Sequence, residues 1–149
     1  MRNKLSIIIT GRNDEYYKDF LEKTSFNLNY TLKSLYDLKI DKFIEIIFID
    51  WGSKKKLSEN LFINTKYKSK IKFYNVNNKI TSKEKDHDRR INTSKAHNLG
   101  VRLSKSNFCL LSHSDQIYPK YCLRNIYNLI NGKIISKSTI NSNYIYIPR

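Results

Sequence analysis

Leu5-Ser6-Ile7-Ile8-Ile9-Thr10-Gly11-Arg12-Asn13-Asp14 is a short apolar run that gives way abruptly to polar residues and a glycine. Three more stretches have the same form: Ile44 to Ile49 ending in Asp50-Trp51-Gly52-Ser53, Ile71 to Val76 ending in Asn77-Asn78, and Phe108 to Leu111 ending in Ser112-His113-Ser114-Asp115. Ile44 to Ile49 and Phe108 to Leu111 are nearly continuous in apolar residues, as strands covered on both faces should be. If the four runs are parallel strands separated by helices, the four polar clusters line the carboxyl edge of one sheet, where open α/β sheets bind their ligands.

The segments between the runs carry helical spacing. Leu28, Leu32, Leu35 and Leu38 recur at intervals of four, three and three, which places an amphipathic helix between the first two strands. A second helix begins near Thr93, with Ala96, Leu99 and Leu103 on one face, and Pro119 announces a third with Leu123, Ile126, Tyr127 and Ile130 facing inward. Thr81 to Arg90 has no apolar period and reads as a mobile loop, and its Asp86-His87-Asp88 reads as part of a charge run rather than a metal cluster. Lys133 to Ile135 and Tyr144 to Ile147 read as two further short strands.

At 149 residues, with no repeat and no Pro/Gly/Ser linker, residues 1–149 read as one domain. The apolar stretch at the amino terminus is too short for a signal-peptide core, and no run approaches the roughly 18 to 20 apolar residues of a membrane span. Cys109 and Cys122 have no CxxC or framework spacing, so two free thiols in a cytoplasmic protein are the expectation. Lys and Arg number 28 against 13 Asp and Glu, a net charge of +15 that suits any polyanion. The excess is mostly Lys beside abundant Asn, Ile and Tyr, which is also the bias of an AT-rich coding sequence. Charge alone therefore does not choose between a diphosphate-bearing substrate, an anionic lipid surface and a nucleic acid. No helix-turn-helix, zinc-finger or RNP signature is present, so nucleic acid is the weakest of the three. Phosphate-cradling glycine loops and a nucleophile elbow are absent too.

In order and spacing, these motifs resemble family 2 glycosyltransferases of the GT-A fold. Ser6 to Asp14 looks like their opening strand, most closely that of a subgroup starting with the same Gly-Arg-Asn-Asp turn. Ile46 to Ser53 is similar to their second strand, and Ser94-Lys95-Ala96-His97-Asn98-Leu99-Gly100-Val101-Arg102 before Phe108 to Leu111 resembles their A-x-N-x-G helix and the strand behind it. His113-Ser114-Asp115 falls where their metal-binding DxD belongs. The resemblance covers about Ser6 to Pro119. It implies a Rossmann-like GT-A nucleotide-diphospho-sugar transferase fold: α/β, a mostly parallel sheet with flanking helices, truncated at its carboxyl-terminal side.

The implied activity is metal-assisted transfer of a sugar from a UDP- or GDP-sugar to an unknown acceptor, in the family's usual setting of bacterial surface polysaccharide assembly. Asp115 would bind Mn²⁺ or Mg²⁺ together with substrate phosphates and water. If the chain there is extended, His113 points the same way and joins as a nitrogen ligand; otherwise it is a loop histidine bonded to backbone. Asp50 would reach the nucleotide base or ribose, or else cap the turn that follows through the amides of Gly52 and Ser53. Thr10, Gly11, Arg12 and Asp14 would line the other wall, with Arg12 meeting phosphate and Asp14 capping a helix. Gly52 and Ser114 complete the wall, while Arg90 and Asn98 close over the diphosphate or are a solvated charge and a helix-surface amide. On a nucleic-acid-binding reading, Tyr16, Tyr17, Tyr118 and Tyr121 would stack on a base; otherwise they pack in the core.

The sequence departs from the family twice. His113 replaces the first acidic residue of DxD, and no Asp or Glu follows Asp115 in the last 34 residues. A carboxylate base must then come from upstream or from a second chain that supplies the acceptor half. Three readings follow: a glycosyltransferase-type domain, with peripheral contact to an anionic membrane in keeping with its charge; a catalytically inactive or partial remnant; and a basic nucleic-acid-binding domain.

Overall fold

The computed structural model describes residues 4–13, 18–82 and 91–132. The runs at residues 133–135 and 144–147, Tyr16 and Tyr17, and the Asp86 to Asp88 cluster lie outside these residues. Strand β1 (Leu5–Gly11) is followed by the 18-residue helix α1 (Phe20–Asp37), then β2 (Ile44–Asp50), the single-turn helices α2 (Leu57–Asn60) and α3 (Thr65–Lys68), and β3 (Ile71–Asn75). The turn α4 (Asn78–Thr81), helix α5 (Thr93–Leu103), strand β4 (Phe108–His113) and helix α6 (Lys120–Ile130) complete the described chain.

The sheet has four parallel strands in the order β3-β2-β1-β4. Leu5 pairs with Ile44 and with Phe108, so β2, β1 and β4 start level; β1 and β2 end together at Gly11 and Asp50, and β4 ends one position earlier at His113. The chain lays β1, β2 and β3 side by side in one direction and then returns to place β4 against the free edge of β1. This reversal makes the boundary between β1 and β4 the switch point of the sheet, the place beyond whose carboxyl ends open α/β sheets bind their ligands.

Side-chain alternation divides the core into two layers. Leu5, Ile7 and Ile9 of β1 and Ile44, Ile46 and Phe48 of β2 pack beneath Leu28, Leu32 and Leu35 of α1 and Leu123 of α6. On the opposite face Ile8, Ile47 and Ile49 pack against Ala96, with Leu99 and Leu103 beside it. Gly100 lets α5 lie directly on the sheet, because a Cβ there would come within 2.2 Å of Ile8 Cγ2. The amphipathic spacings of α1, α5 and α6 are therefore realised as expected.

Helix α1 ends in a Schellman arrangement: Ile40 N donates to Leu35 O and Lys39 N to Tyr36 O, with Lys39 at φ 57° in the position that glycine usually takes.

Two expectations change. β2 is buried along its whole length, but β4 is an edge strand whose Cys109 and Leu111 are exposed among the described residues, because α5 lies over β1 and β2 rather than over β4. The apolar run of β4 thus reflects one covered face and not two. Thr81, expected in a loop, instead ends α4 and is buried against Gly52. Cys109 and Cys122 are free, and no helix among the described residues is long and apolar enough to cross a membrane.

Candidate functional site

The loops leaving the strands are knitted into one floor. Trp51 N donates to Gly11 O at 2.9 Å, Ser114 N to Thr10 O at 3.1 Å and Val76 N to Asp50 O at 2.8 Å, which carries the sheet ladder past its formal ends. Asn13 N donates to Ser53 Oγ at 2.8 Å, joining the loop after β1 to the loop after β2. Two glycines make this closeness possible. A Cβ on Gly11 would lie 3.0 Å from Phe48 Cζ and 3.1 Å from Ser114 Cβ. Gly52 has φ +77°, and a Cβ there would meet Thr81 Oγ1 at 2.3 Å, so both the backbone angle and the space exclude a side chain.

Asp50 is the organiser of the second loop. Its side chain is 1% exposed; Oδ1 accepts from Ser53 N at 3.1 Å, and Oδ2 accepts from Leu57 N at 2.9 Å and Asn75 Nδ2 at 3.0 Å. These donors realise the capping role, with Leu57 N rather than Gly52 N as the second amide. A carboxylate with both oxygens occupied inside the protein shapes the cleft from beneath, since exposing it would strand three donors.

The loop after β4 is a tight turn. Gln116 N donates to His113 O at 3.2 Å, and the Gln116 Oε1 accepts from Ser112 Oγ, His113 N and Tyr118 OH at 3.0, 3.2 and 3.1 Å. Asn27 Nδ2 of α1 donates to Ser114 O at 3.2 Å. His113 is therefore the last strand residue and Asp115 sits in the turn, so the extended chain that would align the two side chains is absent. Both are exposed, and no ion pair joins Asp115 to another described residue.

Helix α5 brings His97 to the same edge. Its Nε2 lies 2.9 Å from Ser112 O, and its ring centre is 5.2 Å from that of His113, tilted by 59°. Burial lowers the His97 pKa and the neighbouring His113 adds to this, against a smaller opposing effect from the Ser112 carbonyl.

Of the other expected residues, Thr10 is 2% exposed, and its Oγ1 has no hydrogen-bond partner among the described residues. Arg12 is half-buried beside Asn13. Asn98 is exposed on α5. Asp14 and Arg90 lie outside the described residues. Tyr118 packs, 9% exposed, with its backbone amide on Thr31 Oγ1 and its hydroxyl pKa raised by burial, whereas Tyr121 is 70% exposed. Sequence reading overlooked Gln116, Asn75 and His97 as site-builders. Gln116 and Asn75 carry no motif, and His97 was visible only as the variable position of a helix motif.

A groove of about 710 Å³ opens elsewhere, between α1 and the segment around Phe62 and Tyr67, and shares no residue with the carboxyl edge.

No protein family and no curated protein matches the chain. A solved structure of S. aureus TarS 1–349, a family 2 glycosyltransferase, matches over 86% of this chain with a TM-score of 0.54 and 19% identity. The match covers 32% of the TarS structure, so this chain spans about a third of its length. The likeness is one of fold: a Rossmann-like α/β arrangement with a four-stranded, all-parallel sheet and flanking helices.

Proposed function

We propose that the chain is a glycosyltransferase-like domain that holds a UDP- or GDP-sugar across the carboxyl edge of the sheet, with Mn²⁺ or Mg²⁺ on its diphosphate, for transfer to an acceptor. The observation that carries this reading is the switch in strand order between β1 and β4, with the 11–13, 50–53 and 113–116 loops interlocked at its carboxyl edge. The fold likeness to a glycosyltransferase supports it.

The donor set is compatible with the ion. Asp115 offers an exposed carboxylate, and no three His, Cys, Asp or Glu side chains converge among the described residues. Mg²⁺ and Mn²⁺ at phosphate sites commonly take one or two protein oxygens and complete their shell with phosphates and water. When bound, such an ion would offset the charge of the departing nucleoside diphosphate. In this reading the chain's own residues bind and orient. Gly11 and Gly52 let the loops close on one another beneath the ligand, Arg12 and Ser114 flank the phosphates, and Asp50 holds its loop in place from below. Arg90, Asp14 and Asn98 belong to the same proposal, as do an acceptor half from a second chain and contact with an anionic membrane.

Calorimetric titration of UDP and GDP, with and without Mn²⁺, tests the reading. Binding of at least one nucleotide, strengthened by Mn²⁺ and weakened about tenfold or more in Asp115→Ala, is the expected result. Silence with both nucleotides in both conditions would leave only the fold.

A further inference from the structure

The histidine pair at the carboxyl edge has a geometry of its own. A carbonyl oxygen only accepts, so the contact of His97 Nε2 with Ser112 O at 2.9 Å puts the proton on Nε2 and leaves the lone pair on Nδ1. Metal-binding histidines are held in this way, with the distal N–H anchored on a backbone carbonyl that fixes tautomer and ring orientation. Across from it stands His113, 5.2 Å between ring centres and inclined by 59°. A tetrahedral ion about 2.1 Å from one nitrogen of each ring would itself set the ring centres roughly 5 Å apart. The register Thr10↔His113 puts Thr10 Oγ1, buried and without a partner among the described residues, on the strand next to this pair, and His113 is exposed, which leaves an entry path.

We propose that His97 and His113 form a two-imidazole chelate for a divalent ion of the Co²⁺ to Zn²⁺ type, formed without any nucleotide. Its remaining positions are filled by water or by an oxygen such as that of Asp115. Imidazole nitrogen suits these ions, whereas Mg²⁺ prefers oxygen donors and keeps its waters. The site is distinct in composition from a carboxylate site on Asp115 alone, because its fixed member, His97, comes from a helix and not from the strand-end motif.

The test uses the untagged full chain and no nucleotide, so its outcome is independent of donor binding. Co²⁺ is followed by visible absorption and Zn²⁺ by calorimetry, each with excess Mg²⁺ present. One-to-one binding that survives Mg²⁺ and the His87→Ala change is expected. It should fall roughly tenfold or more in His113→Ala, in His97→Ala, and in His97→Gln, which keeps a donor for Ser112 O and guards against a folding defect. No Co²⁺ spectrum with the parent chain, displacement by Mg²⁺, or binding that persists in folded His97→Gln but vanishes in His87→Ala would overturn the proposal and leave ring packing as the reason for the contact.

Discussion

The two edges of the sheet treat polar side chains in opposite ways. At the amino edge, Glu45 is 4% exposed, yet each of its oxygens is occupied: Oε1 accepts from Ser6 Oγ at 2.6 Å, Lys105 N at 3.1 Å and Ser106 Oγ at 3.2 Å, and Oε2 from Lys72 Nζ at 2.7 Å. Ser104 Oγ joins through Ser6 at 2.7 Å. At the carboxyl edge, His113 and Asp115 are exposed, Thr10 Oγ1 is unpartnered among the described residues, and glycines hold the loops close. The same parallel strands thus end in a closed polar network at one side and in uncommitted donors and acceptors at the other. Polar groups already spent on the protein cannot serve a ligand without a cost of about 1–3 kcal/mol for each partner left buried and unpaired.

The sharpest way to break this contrast is Glu45→Ala, expected to destabilise by about 3 kcal/mol because it removes the one acceptor that the Lys105 amide, Ser6 and Ser106 share. Urea denaturation measures it, and a loss below about 1 kcal/mol would mean that the network is incidental. Acid gives the same information without a mutation. Burial alone would raise the Glu45 pKa, but the Lys72 ammonium, the Ser6 hydroxyl and the Lys105 amide outweigh it and hold the carboxyl at about 2, against 4.5 for the unfolded chain. The folded state therefore binds fewer protons between those values, and this stability is complete above about pH 4.5 and drains away as pH falls toward 2.

Asp50 sharpens the comparison from the other side, since it stands at the carboxyl edge but is committed like an amino-edge residue. Asp50→Asn turns one acceptor oxygen into a donor that faces either Ser53 N or both Leu57 N and Asn75 Nδ2, and a loss of about 2 kcal/mol is expected in the same denaturation measurement. Its effect on nucleotide affinity should follow the loop. The smallest change is expected at Asp115→Asn, within about 0.5 kcal/mol of the parent chain, since an exposed turn carboxylate with no ion pair among the described residues supports nothing around it. A large stability loss there would show that the edge is structural and not a binding surface.

Much of this arrangement is legible in the residues themselves. The four strand runs, the Leu28-Leu32-Leu35 stripe and the helix opened by Pro119 occur where apolar period and stop signals place them. The edge clusters are legible for the same reason, because a strand's polar end is adjacent to it in sequence. Less was legible within the clusters. Whether Asp50 faces a ligand or its own loop depends on Leu57 and Asn75, seven and 25 residues away. The tight turn from His113 to Gln116 depends on Gln116 gathering three donors, which no spacing rule signals.

By itself the sequence determined the element types, their order and the polar character of each strand end, because apolar periodicity, capping and turn chemistry act within a few residues. Only the tertiary structure decided that β4 returns to the outer side of β1, that Gly100 seats α5 on Ile8, and that His97 meets His113 across 15 intervening residues. These are outcomes of packing between distant segments, where each position is selected by the shape and hydrogen-bonding needs of its neighbours in space.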